Sequence, residues 1–176
     1  MTIPTYKQVT YRKILNTLFH ECREMGIVKK NAELSSINMG ILPDLIGFNL
    51  RCAQLAVFHH FGKTVGRNGI TAPQFGTLLL IEANPAISQS AIADALRFDR
   101  STLVQIIDRL EGAGLVERRV SPTDRRSHAL RLTEDGAILL AELKQTALAH
   151  ENEIAGELDE AERQKCITLL KKLYSG

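Results

Sequence analysis

The chain has 176 residues, 44% of them hydrophobic, which is long enough and apolar enough to bury a core and excludes a disordered polypeptide. Aromatic residues make up 5% with no tryptophan, so stacking of nucleobases on an aromatic platform is not the expected way for it to bind anything. The formal net charge of +2 decides little by itself.

Taken in chain order, Tyr11 to Val28 places Ile14, Leu15, Leu18, Phe19 and Cys22 at amphipathic-helix spacing, with Gly26 as the stop and a polar connector from Lys29 to Gly40. Pro43 opens a longer helix to about Thr64. Its apolar residues, among them Leu45, Ile46, Phe48, Leu50, Leu55, Phe58 and Phe61, point to more than one side, the pattern of a helix buried on two faces at a subunit interface. After a loop at Gly66 to Gly69, Thr71 is an N-cap with Pro73 in the first turn of a helix that runs through Phe75 and Leu78 to Ile81 and breaks at Asn84-Pro85. Ser88 caps a short helix, Gln89 to Leu96, expected to turn Ala91, Ile92, Ala95 and Leu96 inward. Asp99 caps the next, Arg100 to Glu111, which Gly112-Ala113-Gly114 stops. Two short strands follow, Leu115 to Val120 and His128 to Leu132, around a polar turn from Ser121 to Ser127. Thr133-Glu134-Asp135-Gly136 starts a long helix through Ile138, Leu140, Leu143 and Leu148, and a last helix carries Ile167, Leu169, Leu170 and Leu173.

Charge is unevenly distributed along this layout. Between Arg97 and Arg131 stand eight arginines against five acids, whereas between Thr133 and Glu162 nine acids face one lysine. An arginine-only basic segment followed by an acidic one reads as a surface for a polyanion joined to a part kept away from it. The N-terminal residues show no secretory pattern, and no apolar run approaches the roughly 18 residues that cross a bilayer. Three widely spaced cysteines without a C-x-x-C pair suit reduced thiols, so a cytoplasmic location is expected. There is no glycine-rich phosphate loop, nucleophile elbow or metal-ligand spacing, so neither an enzyme nor a cofactor nor a metal site is expected. His59 and His60 are adjacent on a helix and diverge by about 100°, a poor arrangement for one ion, and His20 is as easily a plain surface residue.

The order helix, helix, short turn, helix, basic-tipped hairpin is that of a winged helix-turn-helix: a mainly α fold with a small β-hairpin wing. The helix from Arg100 buries Leu103, Ile106, Ile107 and Leu110 and offers Arg100, Ser101, Thr102, Gln105 and Arg109 on the opposite face. Those side chains can hydrogen-bond base edges and phosphates in a major groove. Ser88 and Gln89, at the start of the preceding helix, join them as candidate DNA contacts. Arg125 and Arg126 at the hairpin tip suit a minor groove or phosphates, and Asp124 suits the orientation of an arginine. Arg118 and Arg119 alternate along a strand, so at most one faces DNA and the other is expected to pair with an acid. On the helix after Pro43, Arg51 could hold a carboxylate or phosphate of a ligand, with Phe48 and His59 on the same element, or it could form a structural ion pair.

The runs Ile87-Ser88-Gln89-Ser90-Ala91-Ile92-Ala93, Ser101-Thr102-Leu103-Val104, Ile107-Asp108-Arg109-Leu110-Glu111, Gly114-Leu115-Val116-Glu117-Arg118-Arg119, Asp124-Arg125-Arg126 and Leu130-Arg131-Leu132-Thr133-Glu134-Asp135-Gly136 together resemble the MarR family of bacterial regulators. The run Ile46 to Gln54 is similar to regulators of hydroxycinnamate and related aromatic catabolism, some of which sense an acyl-CoA thioester. The resemblance implies a homodimer built from the N- and C-terminal helices, bound to a pseudo-palindromic operator in double-stranded DNA and released by a small effector, often an aromatic acid or its conjugate. It implies dimerisation helices at 42–66 and 137–176, a DNA-binding lobe at 67–136, and an N-terminal extension at 1–41 longer than the family core needs. Two alternatives stay open: a thiol-based redox sensor using Cys22 or Cys52, and a winged-helix interaction module that reads no DNA sequence.

Overall fold

A computed structural model describes residues 37–120 and 128–175. The helix expected over Tyr11 to Val28 and the hairpin tip from Ser121 to Ser127, with Asp124, Arg125 and Arg126, lie outside the described residues. Six α-helices are described: α1 (Ile46–Lys63), α2 (Ala72–Ala83), α3 (Gln89–Leu96), α4 (Arg100–Gly112), α5 (Glu134–Ile154) and α6 (Glu160–Tyr174). Three strands, β1 (Ile87–Ser88), β2 (Val116–Val120) and β3 (His128–Leu132), form an antiparallel sheet in the order β1-β3-β2. The chain divides into two compact units, one of residues up to His60 and from Glu153, the other Phe61–Asn152.

Local signals explain most boundaries in the second unit. At α2, Thr71 and Gln74 form a reciprocal capping box: the Thr71 N–H donates to Gln74 Oε1 at 2.8 Å, and the Gln74 N–H donates to Thr71 Oγ. Ser88 caps α3 by accepting from the Ala91 N–H at 3.2 Å, and Asp99 caps α4 by accepting from the Thr102 N–H at 2.8 Å. Between them the chain turns on Arg97, held in the left-handed region at φ 56°. The core joins α2 (Leu78, Ile81), α3 (Ile92, Ala93), α4 (Leu103, Ile106, Ile107, Leu110), the sheet (Val116, Leu130) and α5 (Leu140, Leu143). The one buried hydroxyl of α2, Thr77, donates to the Pro73 carbonyl at 2.9 Å and so enters the core satisfied.

The sheet is tied to α5 by a tight junction. The Thr133 N–H donates to Leu115 O at 3.1 Å, and the Thr133 hydroxyl donates to Gly114 O at 2.6 Å while accepting from the Gly136 N–H at 2.9 Å. Here Gly136 is required by space rather than by φ, because a Cβ on it would lie 2.0 Å from Leu115 O.

Several expectations change. Pro43 opens a 3-10 turn (Leu42–Asp44) and not the long helix itself; Leu45 is extended at ψ 128°, and α1 begins at Ile46. The Asn49 amide braces this joint by donating to the Pro43 and Leu45 carbonyls, both at 2.8 Å. The loop at Gly66 to Gly69 is largely a second 3-10 turn (Val65–Asn68) closed by Gly69 at φ 80°. The wing hairpin gains a third strand: Ile87 pairs with Leu130 and Ser88 with Ala129. In α3 it is Ile92, Ala93 and Leu96 that turn inward, while Ala91 and Ala95 are exposed. The two alanine-bearing stripes are nearly equivalent in sequence, and the one carrying the large side chains takes the core.

The first unit presents a different surface. Ile46, Leu50, Leu55 and Phe58 on α1 and Ile167, Leu169, Leu170 and Leu173 on α6 are exposed in the single chain, and α6 buries none of its residues. Within this unit His60 Nε2 lies 2.9 Å from the Glu153 carboxylate. Among the described residues, no helix is long and apolar enough to cross a membrane.

Candidate nucleic-acid interface

α4 is divided cleanly by its own periodicity. Leu103, Ile106, Ile107 and Leu110 are buried, and Arg100, Ser101, Thr102, Gln105 and Arg109, the residues singled out from sequence, are all exposed. A helical repeat puts Ser101, Gln105 and Asp108 along the line most remote from the buried stripe, with Thr102 and Arg109 on one flank and Arg100 and Val104 on the other. Ser88 and Gln89, at the start of α3, are half-buried; the Ser88 hydroxyl caps α3 and also lies 3.1 Å from Ser90 Oγ. Asp124, Arg125 and Arg126 lie outside the described residues.

The capping carboxylate of α4 does more than its sequence position announces. Asp99 Oδ1 accepts from the Ser101 hydroxyl at 2.5 Å and from the Thr102 N–H, and Oδ2 accepts from the Thr102 hydroxyl at 2.5 Å. These bonds, the Ser101 and Thr102 hydroxyls first, hold its carboxyl far below the usual carboxylate range.

Arg118 on β2 reaches back to α4, pairing with Asp108 at 2.5 Å and with Glu111, while its neighbour Arg119 pairs with Glu117 on the same strand face at 2.7 Å. Both arginines therefore pair with an acid, where one was expected to; Arg118 is the more enclosed of the two, its side chain 21% exposed against 59% for Arg119. The fork of a guanidinium spanning two carboxylates fixes β2 against α4 and offsets half of their negative charge.

Sequence reasoning passed over Asp108 and Val104. Asp108 sits in the outermost line of α4 but serves Arg118. Val104 is a large apolar residue, 41% exposed, among polar neighbours; its absence from the i, i+3, i+4 core stripe was the available signal.

On α1, Phe48, Arg51 and His59 fall within about 80° of one another by helical repeat, so they share a face of that helix. Phe48 and His59 are half-buried and Arg51 is exposed.

An exposed polar helix preceded by a capped helix and a tight turn, and followed by an arginine-bearing antiparallel hairpin, defines a winged helix-turn-helix. The model of the MarR family matches residues 68–127. A proposed transcriptional regulatory protein for the hcr operon of Thauera aromatica is 39% identical over 145 residues, covering 82% of this chain and 87% of that protein. The solved structure of the transcriptional repressor CouR bound to a 23-mer DNA duplex superposes with a TM-score of 0.73 at 39% identity, covering 78% of this chain and 97% of that one. CouR bound to p-coumaroyl-CoA superposes with a TM-score of 0.72 at 38% identity, covering 78% and 96%. The chain belongs to the MarR family: it is a dimeric, DNA-binding transcriptional regulator that responds to a ligand, and not an enzyme.

Proposed function

We propose that this regulator is a cytoplasmic repressor that leaves a pseudo-palindromic operator when an aromatic acid or its CoA thioester binds. The observation that carries the proposal is the exposed polar face of α4 opposite a fully buried stripe, in a chain whose relative at 39% identity is a repressor bound to DNA. In this reading Ser101, Thr102, Gln105 and Arg109 read or clamp the major groove with Arg100, and Ser88 and Gln89 hold the adjacent backbone. Arg125 and Arg126 enter the minor groove or grip phosphates from the wing, with Asp124 orienting one of them. The homodimer forms through the helices of 42–66 and 137–176, which accounts for the apolar side chains that α1 and α6 leave exposed in one chain. Arg51 holds the anionic group of the effector, with Phe48 and His59 beside it on α1. The aromatic thioester is favoured as effector because CouR, 38% identical, is solved with p-coumaroyl-CoA.

The test is fluorescence anisotropy on the intergenic DNA beside the protein's own gene across a salt series. Substituting Arg125 and Arg126 by alanine weakens binding and lowers the slope of log affinity against log salt by about 1 for each phosphate contact removed. An unchanged slope and affinity contradicts the wing assignment. Unchanged affinity after alanine at Gln105 and Arg109 contradicts the assignment of α4.

A further inference from the structure

The hydroxyls of Ser101 and Thr102 stand on the DNA-facing side of α4, yet neither has its proton to offer. An ionised carboxylate has no hydrogen to donate, so the 2.5 Å bonds from both hydroxyls to Asp99 are one-directional: serine and threonine donate, aspartate accepts. Each hydroxyl keeps only lone pairs for a further partner. Because the same bonds hold the Asp99 carboxyl ionised far below neutrality, this polarity does not change over the pH range in which DNA binding is measured.

The consequence for a base edge is selective. In the major groove adenine N6 and cytosine N4 present donors, whereas thymine O4 and guanine O6 and N7 present acceptors. An acceptor-only pair of hydroxyls is matched to the amines and repelled by the carbonyls. The exposed side chain of Val104, one turn on from Ser101, separates the two amines: its methyl groups complement the C5-methyl of thymine, which a cytosine·guanine pair lacks.

We infer that Asp99 is a specificity-determining positioning residue, which fixes Ser101 and Thr102 as acceptors and, with Val104 beside Ser101, directs α4 to an adenine·thymine pair in each half-site. The inference rests on the reading that α4 enters the major groove. Asp99 itself does not touch DNA in this account. It acts through the two hydroxyls, and a purely structural cap would leave base preference untouched.

The experiment uses the full-length protein and the duplex it enriches from a random-sequence library. Each adenine is replaced in turn by purine, which lacks the N6 amine, and each thymine by uracil, which lacks the methyl group. Binding is compared for the natural protein, Asp99→Asn, and the double variant Ser101→Ala, Thr102→Ala. Asparagine also caps a helix, so α4 is retained with Oδ1 on the Thr102 N–H, but its Nδ2 replaces Oδ2, donates to the Thr102 hydroxyl and reverses the polarity there. The natural protein is expected to lose about tenfold at one adenine per half-site on purine replacement, and severalfold at a thymine beside or opposite it. Asp99→Asn, shown to be folded by a cooperative unfolding transition, is expected to lose less than about twofold at that adenine.

A tenfold purine penalty that persists in Asp99→Asn makes Asp99 a cap alone and overturns the inference. So does the absence of any purine-sensitive adenine while the double alanine variant binds weakly, a result that leaves α4 as the DNA-reading helix. A double alanine variant that binds as well as the natural protein, or a failure to enrich any sequence, removes the groove reading itself, and the inference falls with it.

Discussion

At the scale of single residues, two positions carry consequences that their sequence neighbours do not suggest. Gly136 looks like an ordinary helix glycine, but the missing Cβ is what lets the first turn of α5 pass the Leu115 carbonyl. Gly136→Ala must push that backbone apart, with an expected loss of about 1–3 kcal/mol, read as a lower denaturant midpoint. The contact was illegible in sequence because it joins residues on separate elements, and φ at this glycine is not what demands it. Asp99 was legible as a cap, since an N-cap signal is local; its hold on the Ser101 hydroxyl was not. Its folded pKa lies below the unfolded value of 3.8, so its contribution to stability is present above about pH 4 and lost as pH falls through the folded value. Acid unfolding curves of the natural protein and Asp99→Asn should therefore begin to converge below about pH 4, where Asp99 of the unfolded chain takes up its proton, and meet only once the folded carboxylate is protonated as well. A constant gap between the curves down to low pH contradicts this role.

At the scale of elements, the Arg118 fork joins the wing to the recognition helix. Strand alternation in sequence indicated that one of Arg118 and Arg119 would pair with an acid, whereas both do. Only the fold could say that the acids are Asp108 and Glu111, a turn apart on α4. Arg118→Met keeps the aliphatic stem and removes the charge, leaving two unneutralised carboxylates on the helix. The expected effects are a stability loss of about 1 kcal/mol, because the pairs are partly exposed, and weaker DNA binding through added repulsion from phosphate. Chemical denaturation and anisotropy check the two effects separately, and unchanged DNA affinity contradicts the second. Helix and strand positions in this lobe were readable because caps and periodicity agree. β1 was not, since two residues are too few to show alternation, and the start of α1 was misplaced because Leu45 turns extended after Pro43.

At the scale of the whole molecule, the uneven charge and the element order pointed to a DNA-reading lobe flanked by helices that need a partner. The apolar residues left exposed on α1 and α6 in the single chain are the ones the proposed dimer would cover. The N-terminal residues and the wing tip lie outside the described residues, so their roles rest on sequence and on the proposal above. Coupling between effector and operator needs only a few kcal/mol of differential binding between two states of the dimer. The central claim is that a ligand releases this protein from DNA, and the most direct measurement titrates p-coumaroyl-CoA, other aromatic acyl-CoA thioesters and the free acids into the protein bound to its own intergenic duplex at fixed salt. One of these ligands is expected to lower DNA affinity by tenfold or more, by the arithmetic of about 1.4 kcal/mol per decade, and Arg51→Ala to blunt the response without weakening DNA binding in its absence. Tight operator binding indifferent to every one of these ligands would contradict the claim.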